Sequence, residues 1–553
     1  MAGKSSWTFK SLALLTSAAL YVAVAVAPAG AAEDPAAWMY SPRTISEINL
    51  TLPPASWQTL EEHPEDAYVP GTFSIAETNG VPGTAGPFTA PIEVGVRLKG
   101  GVLGSLRTLQ QKAAFKVKFD SFVKGQTFLG LKKLTLNNMV EDPSMVHEAA
   151  AYEAFRALGV PAPRTGFAFL RVNGESFGLH LNIETLDKIW LEKQFGPFLS
   201  PPQHLYEGEY GVDVTPSRFE EFEVDEGKAS DKSDLKALVD AVDEPTPSFS
   251  TAVGPLADLP EMTRMWAVEK YAGQWDGYSG REGAKQPNNY YLYSDPSGRF
   301  QMFPWGTDET WGDPVGFEAT AGVLFNGCIG DSACKATYRQ ALATTLPTLN
   351  ALNLGDSVRC TAERLGPWQQ LEAAEKSQTY PERVPFSSGQ IADGVSSTRE
   401  FIADRPTELA SFLGVSSPSV PATQPCPPPT RWSEPKAGAV AVPAGSPPGA
   451  IPLLRIERTK IGDRAVRLLA LVPAAGKVAL YGWTGAGKKY ARACPAARLD
   501  APAAGTVELS CKLTDATVYR LGKRWLRLHL KLDFSPSVGS PQQAARDVTL
   551  RHR

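Results

Sequence analysis

From Ser416 to Ala450 the chain is dense in proline: Pro418, Pro421, Pro425, Pro427, Pro428 and Pro429 are followed by Pro447 and Pro448. Proline fixes φ and has no N–H to donate, so such a run builds neither a helix interior nor a central strand and acts as an extended linker. The linker, 416–450, divides the chain into residues 32–415 and residues 451–553, each long enough to bury a core of its own. Charge divides at the same place. From Ile451 onward nineteen Lys and Arg stand against seven Asp and Glu, a net +12, which leaves −16 for the rest of a chain whose total is −4. The basic part is expected either to seek an anionic wall or surface polymer or to present solvated strands.

Within that part, Val466–Val472, Lys477–Tyr481, Thr506–Cys511 and Trp525–Leu532 alternate apolar with polar residues between Gly, Pro and Asp turns. Short alternating runs at this spacing predict an all-β sandwich of immunoglobulin or fibronectin type. It contains no motif that suggests chemistry.

At the other end, Lys4 and Lys10 precede an apolar run from Leu12 to Ala27, and Ala29-Gly30-Ala31 offers the small residues a signal peptidase needs. Residues 1–31 therefore read as a secretory signal peptide, the alternative being an uncleaved anchor. No second apolar stretch of spanning length follows, so the mature chain is expected outside the cytoplasm with no transmembrane segment. Cysteine use agrees with export. Cys328 and Cys334 bracket a short loop, Cys494 and Cys511 fall on neighbouring strands, and Cys360 with Cys426 is the pair left over, among roughly fifteen possible connectivities. Neither a zinc motif nor the Gly-x-Ser-x-Gly elbow of a hydrolase occurs, and nothing points to nucleic acid.

The segment 32–415 reads as α+β. Ile48–Leu52 predicts a strand and Pro54-Ala55-Ser56 opens a short helix. Ile92–Leu98 and Phe115–Phe119 alternate cleanly, which puts Lys116 and Lys118 on one face and Phe115, Val117 and Phe119 on the other. Between them lies Gly100-Gly101-Val102-Leu103-Gly104-Ser105-Leu106-Arg107. Glycines there let backbone amides approach a phosphate without Cβ obstruction, with Ser105 and Arg107 as added donors; a plain hairpin loop is the alternative. Arg97 offers a guanidinium fork that orders the loop or grips phosphate oxygens. Lys116 offers an ammonium on the cleft face. A helix is predicted from Asp142, as N-cap, through Pro143 to Leu158, with Glu148 near its start.

Met265–Ala272 predicts a helix running into Trp275-Asp276-Gly277, where Asp276 is placed to take a proton from an acceptor hydroxyl; a loop cap is the alternative. Asn288 or Asn289 opens the strand Tyr290–Tyr293. Asp308 follows the strand Arg299–Phe303. An Asp, then an Asn, then an Asp at a strand end is the order in which kinases place base, second metal ligand and first metal ligand, and hard oxygen ligands suit Mg²⁺ or Mn²⁺.

These segments together resemble the CotH family of atypical secretory kinases. The likeness rests on Val96-Arg97-Leu98-Lys99-Gly100, Gln111-Lys112-Ala113-Ala114-Phe115-Lys116-Val117-Lys118-Phe119, Leu134-Thr135-Leu136-Asn137-Asn138, Gly159-Val160-Pro161-Ala162-Pro163-Arg164, Val172–Gly178 with Ile183-Glu184, and the Trp275–Trp311 stretch, all in the family's order over roughly residues 45–410. The resemblance implies a two-lobed kinase-like domain that uses ATP with Mg²⁺ or Mn²⁺ to phosphorylate Ser or Thr of an exported or spore-coat protein. It implies Asp276 as base and Asp308 with Asn289 (or Asn288) as metal ligands. Lys112, or in competition Lys116, would reach the phosphates and Glu148 would hold that lysine. Arg97, Gly100, Gly101 and Ser105 would form the nucleotide loop, and Glu184 would meet the adenine where the lobes join. Where the family reads Pro-Trp-Asp-x-Asp, this chain has Pro304-Trp305-Gly306-Thr307-Asp308. That departure keeps a second reading open: a surface or spore-coat binding protein that retains the fold without turnover.

Overall fold

A computed structural model describes residues 34–429, apart from residues 66, 101–105, 197, 199–202 and 281–285, and most of 455–550 with short breaks. The predicted signal peptide, Gly101, Ser105 and the linker from residue 430 lie outside the described residues. Residues 416–429 carry no helix or strand.

Seven strands close into a barrel. They are β1 (Ile45–Thr51), β2 (Val69–Glu77), β3 (Ile92–Lys99), β4 (Ala114–Lys118), β5 (Lys133–Asn137), β6 (Thr165–Val172) and β7 (Glu175–Ile183). The order around the barrel is β1-β2-β3-β4-β5-β7-β6, and the parallel pairing of β1 with β6 closes it. Alternation decides which side chains fill it. Val94, Val96, Leu98, Phe115, Val117, Leu134 and Leu136 are buried in one apolar cluster, which leaves Arg97, Lys99, Lys116, Thr135 and Asn137 on the outer face. The helix α1 (Pro54–Glu62) follows β1 as expected.

The second helix, α2 (His147–Ala157), lies between β5 and β6. It begins later than the sequence suggests: Asp142 is not its N-cap but gathers the preceding turn, accepting from the backbone N–H of Ser144 (2.8 Å) and of His147 (2.8 Å). Four further strands form a sheet of order β11-β10-β8-β9, with β8 (His204–Gly208), β9 (Glu223–Glu226), β10 (Tyr290–Ser294) and β11 (Phe300–Pro304). The remaining helices are α3 (Lys188–Phe195), α4 (Ser233–Asp243), α5 (Phe249–Val253), α6 (Leu259–Ala272), which packs on β11, α7 (Val323–Gly330), α8 (Ser332–Leu352), α9 (Leu354–Ala374), which packs on β7, and α10 (Ser388–Leu413). One large apolar cluster runs from the outer faces of β6 and β7 through α2 into α6 and α8, so α2 is wedged between the barrel and the helical part.

Beyond the linker, β12 (Arg455–Ile461), β13 (Ala465–Val472), β14 (Gly476–Ala486), β15 (Lys489–Ala501), β16 (Gly505–Lys512), β17 (Leu526–Pro536) and β18 (Gln542–Leu550) form two antiparallel sheets, β12-β13-β16 and β15-β14-β17-β18, around one apolar cluster. All three expected disulfides are present: Cys328–Cys334, Cys360–Cys426 and Cys494–Cys511. Cys328 and Cys334 turn out to be helical, on α7 and α8, with Asp331 capping α8 between them. Cys426 ties the start of the linker to α9.

Candidate active site

Three turns and the start of α2 converge where the barrel meets the helical part. The first turn leaves α6 through Gly273, whose φ of +69 is the left-handed conformation glycine adopts freely, and carries Asp276. The second enters β10 at Asn288 and Asn289. The third leaves β11 through Gly306 (φ +46) to Asp308 and Glu309 and returns at Trp311, whose N–H donates to Ala272 O at 2.7 Å. Because β10 and β11 pair with Tyr290 opposite Pro304, the second and third turns are adjacent, and Trp305 N–H donates to Asn289 O at 3.1 Å.

Hydrogen bonds lock these turns together. The Asp276 carboxylate accepts from the amides of Asn289 (2.8 Å) and Asn288 (3.1 Å), and Asn289 also donates to Asp276 O (3.1 Å). Gln274 donates to Gly306 O at 2.9 Å. On the far side the His147 Nδ1–H donates to Asp308 O (2.8 Å), and Trp311 Nε1–H donates to His147 O (3.2 Å). The first turn of α2 is thereby fixed against the Asp308 turn, which brings Glu148 up to Asp308. Asn137 of β5 donates to the Glu148 carboxylate.

The result is a crowd of carboxylates. Burial first, and then the charge of Asp308, push Glu148 up to about 8, against the pull of Lys99 and Asn137. Burial and Asp308 likewise push Glu141 up to about 7, with Arg107 opposing, and raise Glu309. Acids that face one another out of water hold protons unless a cation joins them. Asp308, Glu148 and Glu141 offer hard oxygen ligands, as do the amides beside Asp276. Oxygen donors of this kind are the type that Mg²⁺ or Mn²⁺ takes.

The remaining sequence candidates are distributed as follows. Asp276, Asn288, Asn289, Asp308 and Glu148 come together. Lys112 does not join them: it is wholly buried, and its Nζ donates to Glu372 of α9 at 2.6 Å, so its partner is Glu372 and not Glu148. The lysine whose charge acts on Glu148 is Lys99, the last residue of β3. Its place on the outward phase with Arg97 was readable from the alternation of Val94, Val96 and Leu98. Glu184 is held by Arg164 (2.6 Å) and lies 3.8 Å from Lys193 in the last turn of α3. Arg97 donates to Glu65 O (2.9 Å) and lies over the Tyr68 ring, so it braces the segment before β2. Gly100 passes so close to Glu65 and Leu106 that a Cβ would stand 2.5 Å from each. Lys116 lies between the Arg97 and Lys99 charges on one side and Glu207 and Asp225 on the other, and burial lowers its pKa. Glu207, Glu223 and Asp225 are a triad on β8 and β9 whose oxygens approach within 4.8 Å, unremarked in the sequence because their strands are short. Glu141, Glu309, His147 and Gln274 were also missed, since no local pattern distinguishes them from loop residues.

A closed barrel and a helical part, with a cluster of carboxylates where the two meet, define the architecture. A family model described as CotH kinase protein matches residues 96–409, more than half of the chain, and the chain belongs to that family. The inner spore coat protein H of Bacillus subtilis (strain 168) is 24% identical over 312 residues, covering 51% of this chain and 81% of that protein. An inner spore coat protein H-like protein of the same organism is 34% identical over 83 residues, covering 15% of this chain and 25% of that protein.

Proposed function

We propose that this protein is a secreted metal-dependent kinase that moves the γ-phosphoryl group of ATP to Ser or Thr hydroxyls of an exported or spore-coat protein. The barrel and the helical part then act as the two lobes of an atypical kinase, and the β12–β18 region is a fibronectin-like sandwich. The observation that carries this reading is the facing of Asp308 on Glu148 and Glu141, with Lys99 beside them and Asp276 held by two amides.

In this reading Asp276 takes the proton of the acceptor hydroxyl. Asn288 and Asn289 donate to its carboxylate and so fix its orientation. Lys99 and Arg97 on β3 attract the phosphates, Lys99 in the part the sequence suggested for Lys112. Asp308, Glu148 and Glu141, with the Asn289 amide oxygen, would hold Mg²⁺ or Mn²⁺, which when bound neutralises phosphate charge and orients the triphosphate. Glu148 also joins the start of α2 to the site, so the position of α2 and the completeness of the cleft are one variable.

The mature, disulfide-intact protein incubated with labelled ATP and either Mg²⁺ or Mn²⁺ is expected to acquire label on itself or on a casein-type acceptor. Asp276→Ala and Asp308→Ala are expected to abolish labelling while keeping the fold. Neither label nor metal-dependent ATP binding on the wild type would sink the proposal. A surface-binding reading, in which the protein holds an anionic polymer without turnover, would then take over; Gly306 and the +12 charge beyond Ile451 favour it.

A further inference from the structure

The turn that carries Asp276 is gripped from behind by two charged side chains that the cleft itself does not use. Glu269 and Lys270, consecutive on α6, are both fully buried. One oxygen of Glu269 accepts from Tyr278 N–H (3.0 Å) and the other from Ser279 N–H (2.9 Å). Lys270 donates to Ser279 O (2.9 Å) and to Gly280 O. The turn approaches so closely that a Cβ on Gly277 would stand 2.5 Å from Glu269 Oε1. Tyr278 is pinned as well: its hydroxyl donates to Asp213 (3.1 Å) and accepts from Leu324 N–H (2.9 Å). Arg405, also buried, donates to Tyr271 O (3.0 Å), Val315 O (2.7 Å) and Lys270 O, holding the end of the same helix.

Burying charges is a poor way to gain stability, since apolar residues of the same volume commonly do as well or better. What these charges do is specify one backbone path: a carboxylate accepting two consecutive N–H groups and an ammonium donating to the next two carbonyls leave the turn a single arrangement. We propose that Glu269 and Lys270 are positioning residues that set the direction of the Asp276 carboxylate toward the acceptor hydroxyl. The inference rests on the kinase reading for what Asp276 does, and on the geometry alone for what holds it.

The test uses the full mature chain. In Glu269→Gln and Lys270→Met, with thermal melting still cooperative, phosphotransfer kcat is expected to fall on the order of 100-fold, the scale of a misplaced reacting group, while KM for ATP stays within about twofold. Hydrogen exchange over residues 273–280 is expected to accelerate in the same variants. Gly277→Ala leaves both charges in place and is expected to reproduce the kcat loss, which covers the case in which a buried-charge variant does not fold. Unchanged kcat in Gly277→Ala, or a KM rise that accounts for the whole loss, would overturn the proposal. If the wild type transfers no phosphate, the kinase reading fails by itself, and the clamp is then judged by exchange: slow exchange retained at Tyr278 and Ser279 in Glu269→Gln would overturn it.

Discussion

Lys99 and Lys112 stand on either side of the glycine-rich loop and end up in opposite surroundings. The reason is what packs over each: Lys99 ends β3 on the outward phase with Arg97, whereas Lys112 lies two residues before β4 and is covered by α9, whose Glu372 takes its ammonium. Lys99→Met is therefore expected to remove phosphotransfer with little change in melting, while Lys112→Met strands a buried carboxylate and destabilises by about 3–5 kcal/mol. Thermal melting and labelling of the two variants, read side by side, separate them, and loss of transfer in Lys112→Met at unchanged stability would return the phosphate role to Lys112. Gly306 is the other telling residue. Its φ of +46 and a 2.4 Å approach of a built Cβ to Asn289 Oδ1 leave no room for a side chain without moving Asn289 off Asp276. Restoring an acid, Gly306→Asp, is expected to cost about 1 kcal/mol through the left-handed backbone and to give no faster transfer. A gain in labelling would show that position 306 was the missing ligand. At this scale the sequence exposed Asp276, Asn288, Asn289 and Asp308 because each flanks a recognisable strand or helix; Glu141 and His147 gain meaning only through contacts with Asp308, more than 150 positions away.

Elements with an uninterrupted pattern were legible, and those with a local contradiction were not. β3, β4, β10, β11 and several strands of the C-terminal sheets lie within a few residues of expectation because alternation marks them, and α6 ends where its Gly273 cap says, although it starts six residues before Met265. Helices α8, α9 and α10 contain Pro347, Pro367 and Pro406, and a proline inside a pattern reads as a break although tertiary packing carries each helix through. Strand β7 bulges at Gly178, whose φ of +75 and the Glu372 carboxylate lying where a Cβ would stand both call for glycine. Two residues on, the ring of His180 is buried against Ala113 O (2.8 Å) and Gly178 O (3.2 Å), and burial together with the Lys112 charge lowers its pKa from 6.5 to about 4. Between those values the unfolded chain binds the proton that the folded one refuses, so this histidine's contribution is full above pH 6.5 and is lost as pH falls toward 4. Replacing it by Gln, which keeps a donor toward Ala113 O, is expected to flatten the acid limb: the urea midpoint should drop less between pH 7 and pH 5 in His180→Gln than in the wild type. Equal drops would mean that the titration of His180 does not shape the acid limb.

At the scale of the molecule, the charge division seen in the sequence acquires a shape. Strand alternation in the C-terminal sheets buries Val466, Leu468, Val478 and Leu480 and leaves Arg467, Lys477, Arg498 and Lys512 exposed, so part of the +12 is spread over solvent-facing strands. Among the described residues no helix is long and apolar enough to cross a membrane. The proline-rich segment separates this basic region from an acidic one, and the Cys360–Cys426 bridge anchors the near end of the linker on α9, so the tether begins at a fixed point. A basic module on such a tether is suited to holding the domain at an anionic surface by charge, and binding of that kind must weaken as salt shortens the screening length from about 10 Å at 0.1 M to about 3 Å at 1 M. The mature chain is accordingly expected to be retained on polyphosphate-coated beads at about 0.05 M salt and released well below about 1 M. A chain ending after residue 429 carries only the acidic part and is expected to flow through at every salt concentration, with its ATP-dependent labelling intact. Retention of that shortened chain, or binding of the full chain that ignores salt, would place the surface contact in the barrel and helical part and leave the C-terminal sheets as a spacer.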